Sequence, residues 1–284
     1  MILLVYVDDI ILVCTSESLL TSFIDSLKSE FSMKDLGPLH YFLGIEATLD
    51  YSAHKLLLTQ NKYSIDILRK HDMLGCKPCK TPVGSGPRVS AYDGDPLKDA
   101  ASYRSLVGGL QYLTLTRPDI SFVVNYVSQF MHSPTDIHLQ LAKCILRYIK
   151  KGFLGQGITL SSGNCSELTA YCDSDWAGCL DTIKSTSGYC VFVGGNLVSW
   201  SSKKQHTISR SSTEVEYIGL ANAAAKILWL SYLFEELSIY LSLPCRLYCD
   251  NLGASSLTAN PIFHARTKHI EVDYHMIREL LLVF

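Results

Sequence analysis

Residues 2–7 and 10–13 are apolar runs rich in β-branched and aromatic side chains, with Asp8 and Asp9 between them. That pattern predicts strand, sharp turn, strand. Leu19, Leu20, Phe23, Ile24, Leu27 and Phe31 then recur at helical spacing, with Ser16 as N-cap and Glu17 in the first turn, which predicts an amphipathic helix facing a core. Gly37-Pro38 breaks the chain, and looser alternation predicts strands over 40–49 and 55–58, a second hairpin. Tyr63, Ile67 and Leu68 define a short helix ending near Gly75, and the Pro/Gly/Ser-rich stretch 78–96 reads as irregular. Pro118 starts a further helix with Asp119 in its first turn. Leu141, Ala142, Ile145, Leu146 and Ile149 form the apolar side of another, which Lys143, Arg147, Lys150 and Lys151 decorate.

Residues 161–166 are small and polar and mark a domain boundary. Beyond it, strands are predicted over 168–172, 188–193 and 197–201, the last two joined by Gly194-Gly195. Ser211 or Ser212 caps a long helix whose start, 213–217, leads into Ile218, Leu220, Ala221, Ala224 and Leu228. A last strand over 246–249 ends at Asp250-Asn251. The expectation is a mixed α/β (α+β) chain of two domains, residues 1–160 and 167–284.

With 284 residues, 48% of them apolar and 18% charged, the chain is long enough for two real cores. A net charge of −2 supplies no global attraction to nucleic acid, so any such binding falls to local basic surface. No acidic residue lies between Asp136 and Glu167, so Lys143, Arg147, Lys150 and Lys151 are the best candidates for contacting a phosphate backbone. A solvated helix end whose lysines complement the dipole fits them equally. The ten cysteines share no repeated spacing, and the C-x-x-C of Cys76 and Cys79 lacks a second pair, so reduced surface thiols are expected rather than zinc. The opening apolar run has no basic start and carries two aspartates, so it is neither signal peptide nor membrane span. An intracellular protein is expected, with compartment and oligomeric state left open.

Carboxylates carry the chemistry. An unpaired buried carboxylate costs several kcal/mol, and a divalent ion offsets that most directly because hard Mg²⁺ prefers carboxylate oxygens. Asp8 and Asp9 fit that description, although a solvated turn between two core strands also does. Farther on, an acid ends one strand (Asp173 or Asp175), another lies on a helix (Glu214 or Glu216), and a third ends another strand (Asp250). Such groups can converge at a sheet edge and hold two metal ions for an in-line displacement at phosphorus, while spacing alone fits scattered surface acids as well.

Tyr6-Val7-Asp8-Asp9 resembles the catalytic hairpin of reverse transcriptases, and the likeness continues through 31–37 and Tyr41-Phe42-Leu43-Gly44-Ile45. Blocks 103–108 and 115–120 resemble the thumb and connection of copia-type LTR retrotransposon Pol polyproteins, including the short plant reading frames derived from them. Blocks 173–178, 185–189, 199–205, 211–217 and 266–270 resemble, in order, the ribonuclease H domain of the same family. The resemblance implies that Asp8 holds polymerase metal with Asp9 in support. It also implies that Asp173, Glu216 and Asp250 hold Mg²⁺ or Mn²⁺ at a ribonuclease H site, in preference to Asp175 and Glu214. The implied partner is template-primer or an RNA/DNA hybrid. Two departures qualify the expectation: the family's first palm Asp lies upstream of the position of Met1, and its fourth ribonuclease H acid lies beyond Phe284. Neither Glu271 nor Asp273 is assigned that role. Polymerase activity in the isolated chain is therefore not expected, and ribonuclease H activity is expected to be weak. The other reading is a remnant of the same fold that binds nucleic acid or protein without catalysis.

Overall fold

The computed structural model describes all residues except 85, 152–153, 164, 260–276 and 278–284. Strands β1 (Ile2–Tyr6) and β2 (Asp9–Val13) form an antiparallel hairpin with Tyr6 opposite Asp9, so Val7 and Asp8 make the turn. Val7 adopts a φ of 48°, the left-handed region that tight hairpin loops use and that a β-branched residue rarely enters. Helix α1 (Glu17–Glu30) starts as the sequence predicts, with the Ser16 hydroxyl accepting from the Leu19 amide. Its predicted core-facing role does not hold: α1 buries none of its residues, and the apolar residues of β1 are exposed. Periodicity identifies which side of a helix is apolar, but not whether another element covers it.

Strands β3 (Tyr41–Phe42), β4 (Ile45–Asp50), β5 (Lys55–Thr59) and β6 (Gly157–Ser161) form a four-stranded antiparallel sheet in that order. The single strand expected over 40–49 is folded in two, because Leu43 (φ 46°) and Gly44 (φ 74°) form a two-residue turn. Between β5 and β6 lie α2 (Asn61–Lys70), α3 (Ala100–Leu113), a 3₁₀ turn at Pro118–Ile120, α4 (Ser121–Ser128) and α5 (Asp136–Lys150). Leu68, Tyr103, Leu106, Leu110, Val124, Ile145 and Ile149 interlock as their common core.

The remaining described elements are β7 (Leu168–Ser174), β8 (Thr186–Val193), β9 (Asn196–Lys204), α6 (Ser212–Glu236), β10 (Arg246–Tyr248) and α7 (Leu252–Ala259). Their sheet runs β10-β7-β8-β9, with β10 parallel to β7 and the other pairs antiparallel. Gly194 (φ 53°) and Gly195 (φ 85°) turn β8 into β9. Helix α6 is long and apolar enough to match a membrane span by length and composition, but its buried side packs on β7 and β8. Helices and sheets are thus combined as expected for the mixed α/β class.

The predicted boundary at 161–166 is bridged by polar contacts. Asn196 exchanges two hydrogen bonds with the Ser161 backbone (2.7 and 2.9 Å), and the Trp200 indole donates to Thr114 O (3.0 Å). Arg88, in the long connection before α3, pairs with Asp175 at 2.9 Å, and the Ala91 amide donates to Asp181 at 2.8 Å.

Candidate metal centre

Asp173 is the penultimate residue of β7, and the parallel register sets Tyr248 of β10 level with Tyr171. Strand β10 ends at Tyr248, so Asp250 follows two residues beyond the strand that pairs with β7, and the charges of Asp173 and Asp250 both act on Glu216. Ser211 caps α6 by accepting from the Glu214 amide, which fixes the first turn of the helix. Gly219, one turn on, lies so close to β7 that a Cβ there would collide with Ser174 Oγ. That close approach brings Glu216 Oε1 within 3.2 Å of the Ser174 amide, from which it accepts a hydrogen bond.

Glu216 is 6% exposed, and no cation pairs with it among the described residues. Burial pushes its carboxyl up to about 7, and the charges of Asp173 and Asp250 push the same way against the Ser174 hydrogen bond. Three carboxylates thus share one locality with insufficient positive charge, a site that suits a divalent cation bound through oxygen. Among the described residues, one group of potential ligand side chains converges tightly: Glu216, Cys249 and Asp250, with ligand atoms within 4.8 Å of one another. Asp173 joins them electrostatically.

The neighbouring acids have other partners. Asp175 accepts from the Thr186 amide and pairs with Arg88, and Gly178 leaves room for that ion pair because a Cβ would strike both side chains. Glu214 accepts at 2.8 Å from the amide of Arg210, the residue just before the Ser211 cap of α6. Both alternatives to Asp173 and Glu216 are tied into local structure.

Asp8 and Asp9 stand exposed on their hairpin, so the expectation of a buried, costly pair fails. Neither belongs to a converging group of three potential ligands among the described residues. Of the basic residues on α5, Arg147 donates to Lys77 O and Lys150 to Cys76 O, each at 2.7 Å, so both clamp the 76–79 turn to the helix. Among the described residues Lys143 and Lys151 make no such contact, and Lys151 is exposed. The cysteines are not mainly surface thiols. Cys172 is buried, Cys79 Sγ lies 3.8 Å from Cys144 Sγ, and Cys249 sits 4.0 Å from Glu216 Oε2. Sequence reasoning missed Cys249, whose place directly before Asp250 becomes a signal only once Glu216 is seen beside it. The block 266–270 and Glu271 and Asp273 lie outside the described residues.

Residues 1–85 match the family described as reverse transcriptase (RNA-dependent DNA polymerase). The chain is 50% identical to the retrovirus-related Pol polyprotein from transposon RE1 of Arabidopsis thaliana, over 97% of its own length and 19% of that protein. It is 36% identical to the Pol polyprotein from transposon TNT 1-94 of Nicotiana tabacum, over 99% of its length and 21% of that protein. It is 49% identical to an uncharacterized mitochondrial protein of Arabidopsis thaliana, over 81% of its length and 95% of that protein. The chain spans about a fifth of the length of the Pol polyproteins it matches. No solved structure matches it.

Proposed function

The chain belongs to the copia-type retrotransposon Pol family, whose reverse transcriptases use divalent metals and nucleic-acid substrates, and from that membership we propose that its two halves are polymerase-derived and ribonuclease H-like. In this reading residues 1–160 supply the palm hairpin and the thumb and connection, and residues 167–284 cleave the RNA strand of an RNA/DNA hybrid. One observation carries the proposal: the buried carboxyl of Glu216 lies near enough to Asp173 and Asp250 for both charges to act on it.

Asp173, Glu216 and Asp250 would hold Mg²⁺ or Mn²⁺. Such ions supply an activated water and neutralise charge on the phosphoryl and leaving oxygens. The chain's own part is positional. The Ser174 amide fixes Glu216 Oε1, and Oε2 lies on the side of Cys249 and Asp250, where it would join Asp250 in holding the ion. Glu216 would have to give up its proton to hold a cation, which would make occupancy pH-dependent. At the other end, Asp8 is proposed as a polymerase ligand and Asp9 as its support. Because no group of three potential ligands includes either among the described residues, primer extension by the chain alone is not part of the proposal.

The test is a labelled RNA/DNA hybrid incubated with the full chain and Mg²⁺ or Mn²⁺. The expected result is cleavage of the RNA strand alone, abolished by chelator and by Asp250→Asn. Hybrid retained but uncut would favour the second reading, a non-catalytic binding protein, for which the internally tied Arg147 and Lys150 leave Lys143 and Lys151 as contacts. A hybrid neither bound nor cut would overturn both.

A further inference from the structure

Cys249 is out of place in a site for a hard cation. Magnesium takes an all-oxygen shell, whereas a thiolate favours zinc and its heavier congeners. Yet the Cys249 sulfur, Glu216 and Asp250 bring their ligand atoms within 4.8 Å of one another, and Glu216 Oε2 lies 4.0 Å from that sulfur. Glu216 is more than nine-tenths buried, has no cationic partner among the described residues, and faces this cluster. One thiolate and two carboxylates, with a fourth position open to water, satisfy the tetrahedral sulfur, nitrogen and oxygen preference of Zn²⁺.

We propose that Glu216, Cys249 and Asp250 form a zinc-class binding site that overlaps the hard-metal site. On binding, a Zn–S bond and two Zn–O bonds form, the Cys249 thiol proton passes to solvent, and no electron is transferred. The site shares two carboxylates with the proposed nuclease centre. It does not depend on that chemistry, because binding is read without any hybrid. Zinc held there occupies the locality that Mg²⁺ would need, so the two ions compete.

The experiment titrates the full chain with Cd²⁺, a zinc-class ion whose thiolate complexes absorb in the near ultraviolet, and then with Zn²⁺ against a chromogenic chelator. Cys79→Ser/Cys144→Ser forms the background, removing the other close cysteine pair. The expected result is one equivalent bound with a thiolate-to-cadmium band. Cys249→Ser should abolish the band and weaken Zn²⁺ by about a hundredfold or more, since even outer-shell partners of a metal reach about that value. Cys249→Asp, which offers a hard ligand, should lose the band yet still bind Mn²⁺. The three tryptophans, all beyond residue 167, report whether each variant is folded. A band that survives Cys249→Ser would overturn the proposal. So would undiminished Zn²⁺ affinity in Glu216→Gln, because the carboxylate assigned here as a ligand would then not be holding the ion.

Discussion

Replacing Glu216 with Gln should stabilise the metal-free protein at pH 8 and remove its response to metal. The folded state holds this carboxyl at about 7 against its ordinary value of 4.5. It therefore binds its proton more tightly folded than unfolded. Below about pH 4.5 both states are protonated and nothing is lost; stability falls as the pH rises from there through about 7, and then levels off. The full difference would be worth about 3 kcal/mol. Burial is the main cause, and solvent reaching the exposed Asp173 and Asp250 side of the site weakens it and their charges alike, which leaves about 1–2 kcal/mol. Glutamine keeps the oxygen that accepts from Ser174 and cannot ionise, so the variant escapes the penalty. Its melting point should rise by roughly 3–8 °C at pH 8 in chelator and match the wild type near pH 4. Mg²⁺ at a hundred times its dissociation constant stabilises only the wild type, by about 2.7 kcal/mol, and inverts the order. Tryptophan fluorescence is the assay, since all three tryptophans lie in the half that carries the site. A wild-type profile flat from pH 4.5 to 7, or a Gln variant less stable than wild type at pH 8 in chelator, would refute the reasoning.

Gly219→Ala should push α6 from β7, costing about 1–3 kcal/mol and weakening metal affinity, as read by thermal denaturation and Mn²⁺ titration. Asp175→Asn keeps the acceptor for Thr186 and loses the partly exposed Arg88 pair, so denaturation should show a loss of no more than about 1 kcal/mol, with metal affinity unchanged. Tyr103→Phe removes the buried hydroxyl that donates to Val127 O at 2.7 Å, and the loss should be about 1–2 kcal/mol in urea denaturation followed by circular dichroism.

Local signals in the chain are legible where they act locally. Ser16 and Ser211 cap the helices they precede, Gly194-Gly195 turns a hairpin, and the period-two runs become β7, β8 and β9. Long-range pairing is not visible in this way. Strand β6 completes a sheet with β5 about a hundred residues earlier, and Gly157 permits this because a Cβ would strike Leu58 O. The Arg88–Asp175 pair has the same character: two charges far apart in sequence, joined by the path of a loop. The preference for Asp173 over Asp175 and for Glu216 over Glu214 came from the family resemblance; in the structure Asp175 and Glu214 each hold local partners of their own. Cys249 escaped notice because a thiol before an acid has no periodicity and gains meaning only when Glu216 lies beside it. The basic residues on α5 read as free surface because a sequence does not display backbone carbonyls waiting at Lys77 and Cys76.

Mn²⁺ binding followed by electron paramagnetic resonance distinguishes the proposed ligands from their neighbours. Asp173→Asn, Glu216→Gln and Asp250→Asn should each weaken binding strongly, whereas Asp175→Asn and Glu214→Gln, whose carboxylates are held by Arg88 and the Arg210 amide, should bind as the wild type does. Loss of affinity in either of the latter two, with the first three unaffected, would contradict the account.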